Sequence, residues 1–224
     1  SLHDALPIWL AASRSCIDFM EKHCFDKDGR MFFEVTEEGL PLRKRRYVFS
    51  ECFAAIAMSE YALASGDRTY AEKALDLFKR ILRNLATPGL LEPKYLPTLQ
   101  ARGHSITMIL INTASRIRAA ISDPILDTQI NESIAAIRRY FMHPEFKALL
   151  EMVGLDGELI DTCNGRVINP GHCIETAWFI LEEAKHRHWD KDLVQMGIRI
   201  LEWSWEWGWD KEFGGIINFK DCKN

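Results

Sequence analysis

Apolar residues recur every three to four positions along nearly the whole chain, and this period restricts the fold more than any single motif does. In "SGDRTYAEKALDLFKRILRNL", Ala71, Ala74, Leu75, Phe78, Leu82 and Leu85 line one helical face, while Ser65, Gly66 and Asp67 end one helix and cap the next. The same reading predicts helices at 8–24, 50–65, 68–86, 103–121, 124–141, 172–187 and 191–207. The links between them are short, so successive helices are expected to pack antiparallel in an all-α fold.

Three β-like stretches interrupt the helices: 29–42 ("GRMFFEVTEEGLPL"), 149–159 ("LLEMVGLDGEL") and 213–221 ("FGGIINFKD"). "FDKDGRMFFEV" and "WDKEFGGIINF" share a lead-in of aromatic, Asp-Lys-acid, glycine turn and apolar strand. Helix pairs punctuated by small hairpins suggest a toroid of helices, with hairpins and helix mouths gathered on one face around a pocket. No Pro/Gly/Ser-rich linker divides the chain, and the Pro-rich segment 87–105 reads as a long loop inside one domain.

Composition narrows the function. The chain has 224 residues, 47% of them hydrophobic, and a net charge of −4, which is enough for one large domain with a sizeable core. It offers no basic face for nucleic acid or a membrane surface. It has no apolar run long enough to span a bilayer, and "SLHDALPIWL" lacks the basic and apolar regions of a signal peptide. Six cysteines occur without a CxxC, mostly in apolar helical contexts, which points to reduced thiols and a cytoplasmic setting.

The chemistry concentrates in "NPGHCIETAWFILEE" (169–183). Asn169 can cap a helix, and Pro170 suits its first position. His172 then falls in the first turn, with Glu175 on the same face at i+3. Taken alone, His172 suits a capping or core role as well as a catalytic one. The positive end of the helix dipole keeps the imidazole neutral, Glu175 can orient it, and Gly171 leaves room beside it. Together these features suit a general base working near neutral pH. A metal reading is weak, because HxxE supplies two ligands at most and no third stands at metal spacing. No GxSxG, P-loop or GxGxxG is present, so no metal and no cofactor is expected. The acids show no distinct pair for glycoside hydrolysis. Trp203, Trp205, Trp207 and Trp209 could form a sugar platform or simply pack between helices.

"VFSECFAAIAMSEYALASGD" (48–67), "NPGHCIETAWFILEE" and "WGWDKEFGGIINFKDCKN" (207–224) resemble, in order and at matching spacing, stretches of the N-acylglucosamine 2-epimerase family. NPGHxxE is the most specific of the three. The resemblance covers 9–224, with 1–8 left as an unmatched and artefactual segment. It implies an incomplete (α/α)6 barrel and epimerisation at C2 of an opened aldose of the N-acylglucosamine type. One histidine removes the C2 proton to give an enediolate, and a second returns it from the other face. His172 matches the first of these histidines and Glu175 its supporting carboxylate, while the second base is expected beyond Asn224. "ARGHSITMILINTASRI" (101–117) resembles the helix that lines the sugar pocket, which would place His104 and Met108 in the site. Phe49 stands where many relatives carry tyrosine. The expected partner is a small-molecule sugar, with a homodimer as the assembly allowed for. The resemblance also implies a longer protein, so these 224 residues are expected to be inactive alone. The alternatives are an aldose–ketose isomerase of the same family, a glycoside hydrolase on the same barrel, and a non-catalytic interaction protein.

Overall fold

The computed structural model describes residues 2–224, with side chains from residue 7 onward. Among them are seven α-helices, and no strand exceeds four residues. None of these helices is long and apolar enough to cross a membrane. The chain divides into two compact units, residues 1–94 with 113–127 and residues 95–112 with 128–224.

The first unit opens with α1 (Leu2–His23), continues through the hairpin β1 (Phe32–Val35) and β2 (Pro41–Lys44), and goes on to α2 (Phe49–Ser65) and α3 (Arg68–Ala86). Of the segment 1–8 set apart in the sequence, Ser1 lies outside the described residues, and 2–8 form the first turns of α1. The turn between α2 and α3 is built as its residues dictate. Gly66 takes φ 76°, where a side chain would be strained, and its N–H returns to the Ala62 carbonyl. Asp67 then accepts from the Thr69 N–H at 3.0 Å and caps α3. Val48, Cys52, Ala55, Met58, Ala74, Phe78 and Ile81 form the core. Glu51, in the SECF stretch, is 1% exposed and accepts the Met31 N–H at 2.9 Å, tying α2 to the hairpin lead-in.

The second unit begins with β3 (Arg102–Gly103), and the chain crosses the division within α4 (His104–Ala120) and α5 (Pro124–Ala136). The helix predicted over 124–141 forms as α5 to Ala136 and continues as a π-helical turn over Ile137–Phe141. Next come β4 (Met142–His143), β5 (Ala148–Leu149), β6 (Met152–Val153) and β7 (Val167–Ile168). The long helices α6 (Pro170–His186) and α7 (Lys191–Gly208) follow, and β8 (Lys220–Asp221) ends the unit. The β-like stretch 149–159 is not a hairpin of its own. β5 pairs with β4, β6 with β3, and β7 with β8. The two similar lead-ins do fold alike, each closing an isolated bridge, Phe25 with Met31 and Trp209 with Ile216.

Gly197 and Gly208 let α6 and α7 approach closely. A methyl group on Gly197 would lie 2.6 Å from Leu181 Cγ, and one on Gly208 would lie 2.5 Å from Pro170 Cβ. The tryptophans differ in their surroundings. Trp207 donates Nε1–H to the Phe146 and Lys147 carbonyls. Trp205 and Trp209 are exposed and stack 4.9 Å apart.

Candidate active site

Asn169 has extended backbone and accepts the His172 N–H on Oδ1 at 3.2 Å, with Pro170 in the first helical position. The cap read from the sequence therefore forms, and it fixes His172 in the first turn of α6. The ring is 38% exposed, and its Nδ1 lies 3.0 Å from Oε1 of Glu151. A carboxylate facing Nδ1 holds the proton there, so the neutral ring carries its lone pair on Nε2.

Glu151 lies between β5 and β6, and its main chain is held on both sides. Its N–H donates to the Val167 carbonyl at 3.1 Å, and its carbonyl accepts the His104 N–H at 3.1 Å. Behind it, Leu150 N–H reaches the Phe141 carbonyl at 3.0 Å, so the π-turn supports the same segment. The Glu151 side chain is 17% exposed and faces a second imidazole, with His104 Nδ1 3.5 Å from the same Oε1. His104 Nε2 stands 3.1 Å from Thr176 Oγ1, and that hydroxyl donates to the His172 carbonyl at 2.8 Å. The Phe141 ring closes the cluster, its centre 5.4 Å from that of the His104 ring and steeply inclined to it. Cys173 is buried beside it, donates to the Leu149 carbonyl at 3.5 Å, and has its thiol pushed up by burial.

The residues singled out in the sequence fall in different surroundings. Glu175 is exposed and takes no side-chain hydrogen bond or ion pair among the described residues, and the carboxylate in contact with His172 Nδ1 is Glu151. The i+3 spacing does place Glu175 on the open side of α6, whereas the Nδ1 edge of His172 turns the other way, toward the strands. His104 is 0% exposed and Met108 5% exposed. His104 lies beneath His172, and Met108 packs in the core. Phe49 belongs to the first unit, where it opens α2 half-buried, 5.7 Å from the Tyr47 ring. No group of three or more His, Cys, Asp or Glu among the described residues could hold a metal ion. Glu151 left one signal in the sequence, a single carboxylate inside the apolar run "ALLEMVG". A charge buried in that way is retained only when partnered.

Burial alone pushes the Glu151 carboxyl up, but the two facing imidazoles outweigh it and hold the group down at about 2. A folded value below the unfolded one stabilises the protein above the unfolded value, and this contribution fades as pH falls toward the folded value. Glu151→Gln should therefore lower stability at neutral pH by about 3 kcal/mol. The gap from wild type should narrow steadily below about pH 4.5. Thermal melts of both proteins across that range would show it, and a gap independent of pH would mean the ionised carboxylate is not what stabilises.

Solved structures share this architecture. D-mannose isomerase superposes with a TM-score of 0.78 over 99% of this chain and 60% of its own, at 15% identity. A sugar epimerase from a ruminal bacterium gives 0.76 over 96% and 58%, at 19% identity. A cellobiose 2-epimerase from Spirochaeta thermophila gives 0.76 over 97% and 58%, at 18% identity. The fold is thus the all-α (α/α)6-barrel class, here incomplete and represented by seven helices. The sequence profile described as N-acylglucosamine 2-epimerase matches residues 3–224, and the chain belongs to that family. N-acylglucosamine 2-epimerase from Bos taurus is 30% identical over 195 residues, covering 85% of this chain and 46% of the relative. The Homo sapiens protein of the same name is 30% identical over 202 residues, covering 86% and 46%. The chain therefore spans about half the length of the curated relatives it matches.

Proposed function

We propose that these residues belong to a sugar 2-epimerase in which His172 is the base that removes the C2 proton of a ring-opened N-acylglucosamine-type aldose. The observation that carries this reading is the His172 Nδ1–Glu151 contact at 3.0 Å on a half-exposed ring in the first turn of α6. The C2 proton lies next to the C1 carbonyl, so its removal gives an enediolate rather than an isolated carbanion. His172 Nε2 accepts the proton while Nδ1–H stays on Glu151, which stabilises the imidazolium as it forms. A second group on the opposite face returns a proton to C2, and the configuration inverts. Glu175, exposed one turn along α6, is available to a sugar hydroxyl. The matched relatives named N-acylglucosamine 2-epimerase favour an N-acylated hexosamine. Six free thiols fit a cytoplasmic protein.

An aldose–ketose isomerase is the second reading, supported by the fold shared with D-mannose isomerase. It uses the same enediolate but returns the proton to C1. A glycoside hydrolase fits poorly, because Glu151, the carboxylate nearest His172, is held ionised by two imidazoles and cannot serve as the acid. Turnover of N-acetylglucosamine by the complete protein in D2O tests the proposal by proton NMR. Deuterium at C2 of the epimeric product is expected. A ketose product would move the reading to the isomerase, and product without solvent deuterium at C2 would overturn both.

A further inference from the structure

We propose that His104 carries both ring protons and forms, with the ionised Glu151, a buried charge pair that positions His172 and keeps it unprotonated. The kinetic half of this proposal rests on the reading of His172 as the base, whereas the protonation half does not.

Counting protons gives the argument. Thr176 has one hydroxyl proton, and it lies on the 2.8 Å bond to the His172 carbonyl. The 3.1 Å contact to His104 Nε2 must then be an N–H donated to Thr176 Oγ1. With Nε2 protonated, a neutral His104 would leave a bare Nδ1 lone pair 3.5 Å from a carboxylate oxygen. Both atoms would be acceptors, facing each other in a buried space with nothing between them. The other neutral tautomer fares no better. It would accept the Thr176 O–H on Nε2 and leave Thr176 Oγ1 and the His172 carbonyl oxygen in contact at 2.8 Å with no proton between them. The doubly protonated ring puts Nε2–H toward Thr176, sends the hydroxyl onward to His172, and turns a positive Nδ1–H edge to the carboxylate at 3.5 Å, an ion-pair contact longer than a good hydrogen bond.

The opposing terms are weaker. His104 opens α4, where the helix dipole presents about half a positive charge. Glu151 presents a full negative charge at 3.5 Å in the same buried space. The titratable groups facing the pair among the described residues are His172 and Cys173, both on α6. The Cys173 thiol is held protonated by burial. Phe141, from the π-turn, supplies only an aromatic ring.

The consequence falls on His172. An uncompensated carboxylate at 3.0 Å would draw a second proton onto its ring and disable it as a base. A positive His104 on the same oxygen offsets that pull, while the Nδ1–H bond still fixes the tautomer. His104 is thus a positioning residue that touches no substrate.

Neutron diffraction from crystals of the complete wild-type protein in D2O, at about pH 7.5, reads the protonation directly. Deuterium on both Nδ1 and Nε2 of His104 is expected, and a bare nitrogen at either position would overturn the proposal. This measurement needs no variant and no activity. The second arm is the pH dependence of kcat/KM for His104→Gln. Removing a nearby positive charge should move the acidic limb to higher pH by about one unit. A limb that stays in place or moves down would overturn the electrostatic role. Should His172→Asn retain full activity, the base reading falls, and the neutron result still decides the state of His104.

Discussion

His172→Asn lowers kcat by about 10²–10⁴-fold, the usual worth of one positioned general base. The fold should survive the change. The ring is 38% exposed, so little packing is lost, and the bond that caps α6 is made by the backbone N–H of residue 172. Asparagine keeps a polar group near Glu151 but cannot take up a carbon-bound proton. Steady-state turnover of the complete protein, compared with its thermal melt, separates loss of chemistry from loss of structure. A variant that melts like wild type and keeps more than roughly a third of its turnover would remove His172 from the mechanism.

Gly208→Val has the largest expected effect away from the site. A single methyl at this position already falls 2.5 Å from Pro170 Cβ and 3.0 Å from its Cγ, and a pyrrolidine ring cannot swing aside. Valine adds two further carbons, so the end of α7 and the start of α6 must separate. Overpacking of this kind costs about 3 kcal/mol, which lowers the melting temperature by about 6–12 °C in a protein of this size. Pro170 stands two positions before His172, so His172 moves with it. A displacement of about 1 Å at a reacting group can cost 10²-fold, and a fall in kcat of at least about tenfold is expected even in the folded fraction. Calorimetry and kcat at a temperature well below the melt would test both parts. An unchanged melting temperature would show that the α6 mouth is not held by this contact.

Where neighbours in sequence are neighbours in space, the chain is readable. Asp67 before α3, Asn169 and Pro170 before α6, and the apolar face of α3 are set by residues within a turn or two of one another, and the structure places them as expected. The predicted face of α3 is rotated only slightly, since Tyr70, Leu77 and Ile81 are buried while Leu82 and Leu85 are half-covered. The helix over 124–141 is legible from its apolar period, whereas the switch to i→i+5 hydrogen bonds over Ile137–Phe141 is not. The contact of His172 with Glu151 is hidden in the sequence for a different reason. Glu175 is close in sequence and Glu151 is not, and only pairing between strands of two residues brings Glu151 there. Such strands are too short to show any alternation, so periodicity cannot reveal them. The same limit applies to His104, whose place beneath the site follows from β3 pairing with β6 rather than from its helix face.

That dependence on two-residue strands has a consequence for the order in which the molecule can be made. The hairpins α2–α3 and α6–α7 close across turns of a few residues, so the chain entropy lost in forming them is small. The Glu151–His172 contact closes 21 residues, and the Thr176–His104 contact closes 72. Loop closure of that length must precede any reward from the contacts it permits, which makes this cluster among the slowest parts of the unit to assemble. Helix content is therefore a poor measure of maturation for this protein. A chain can show nearly its full far-ultraviolet signal while His172 still lacks its contact with Glu151, and that contact arrives with the last strand pairing.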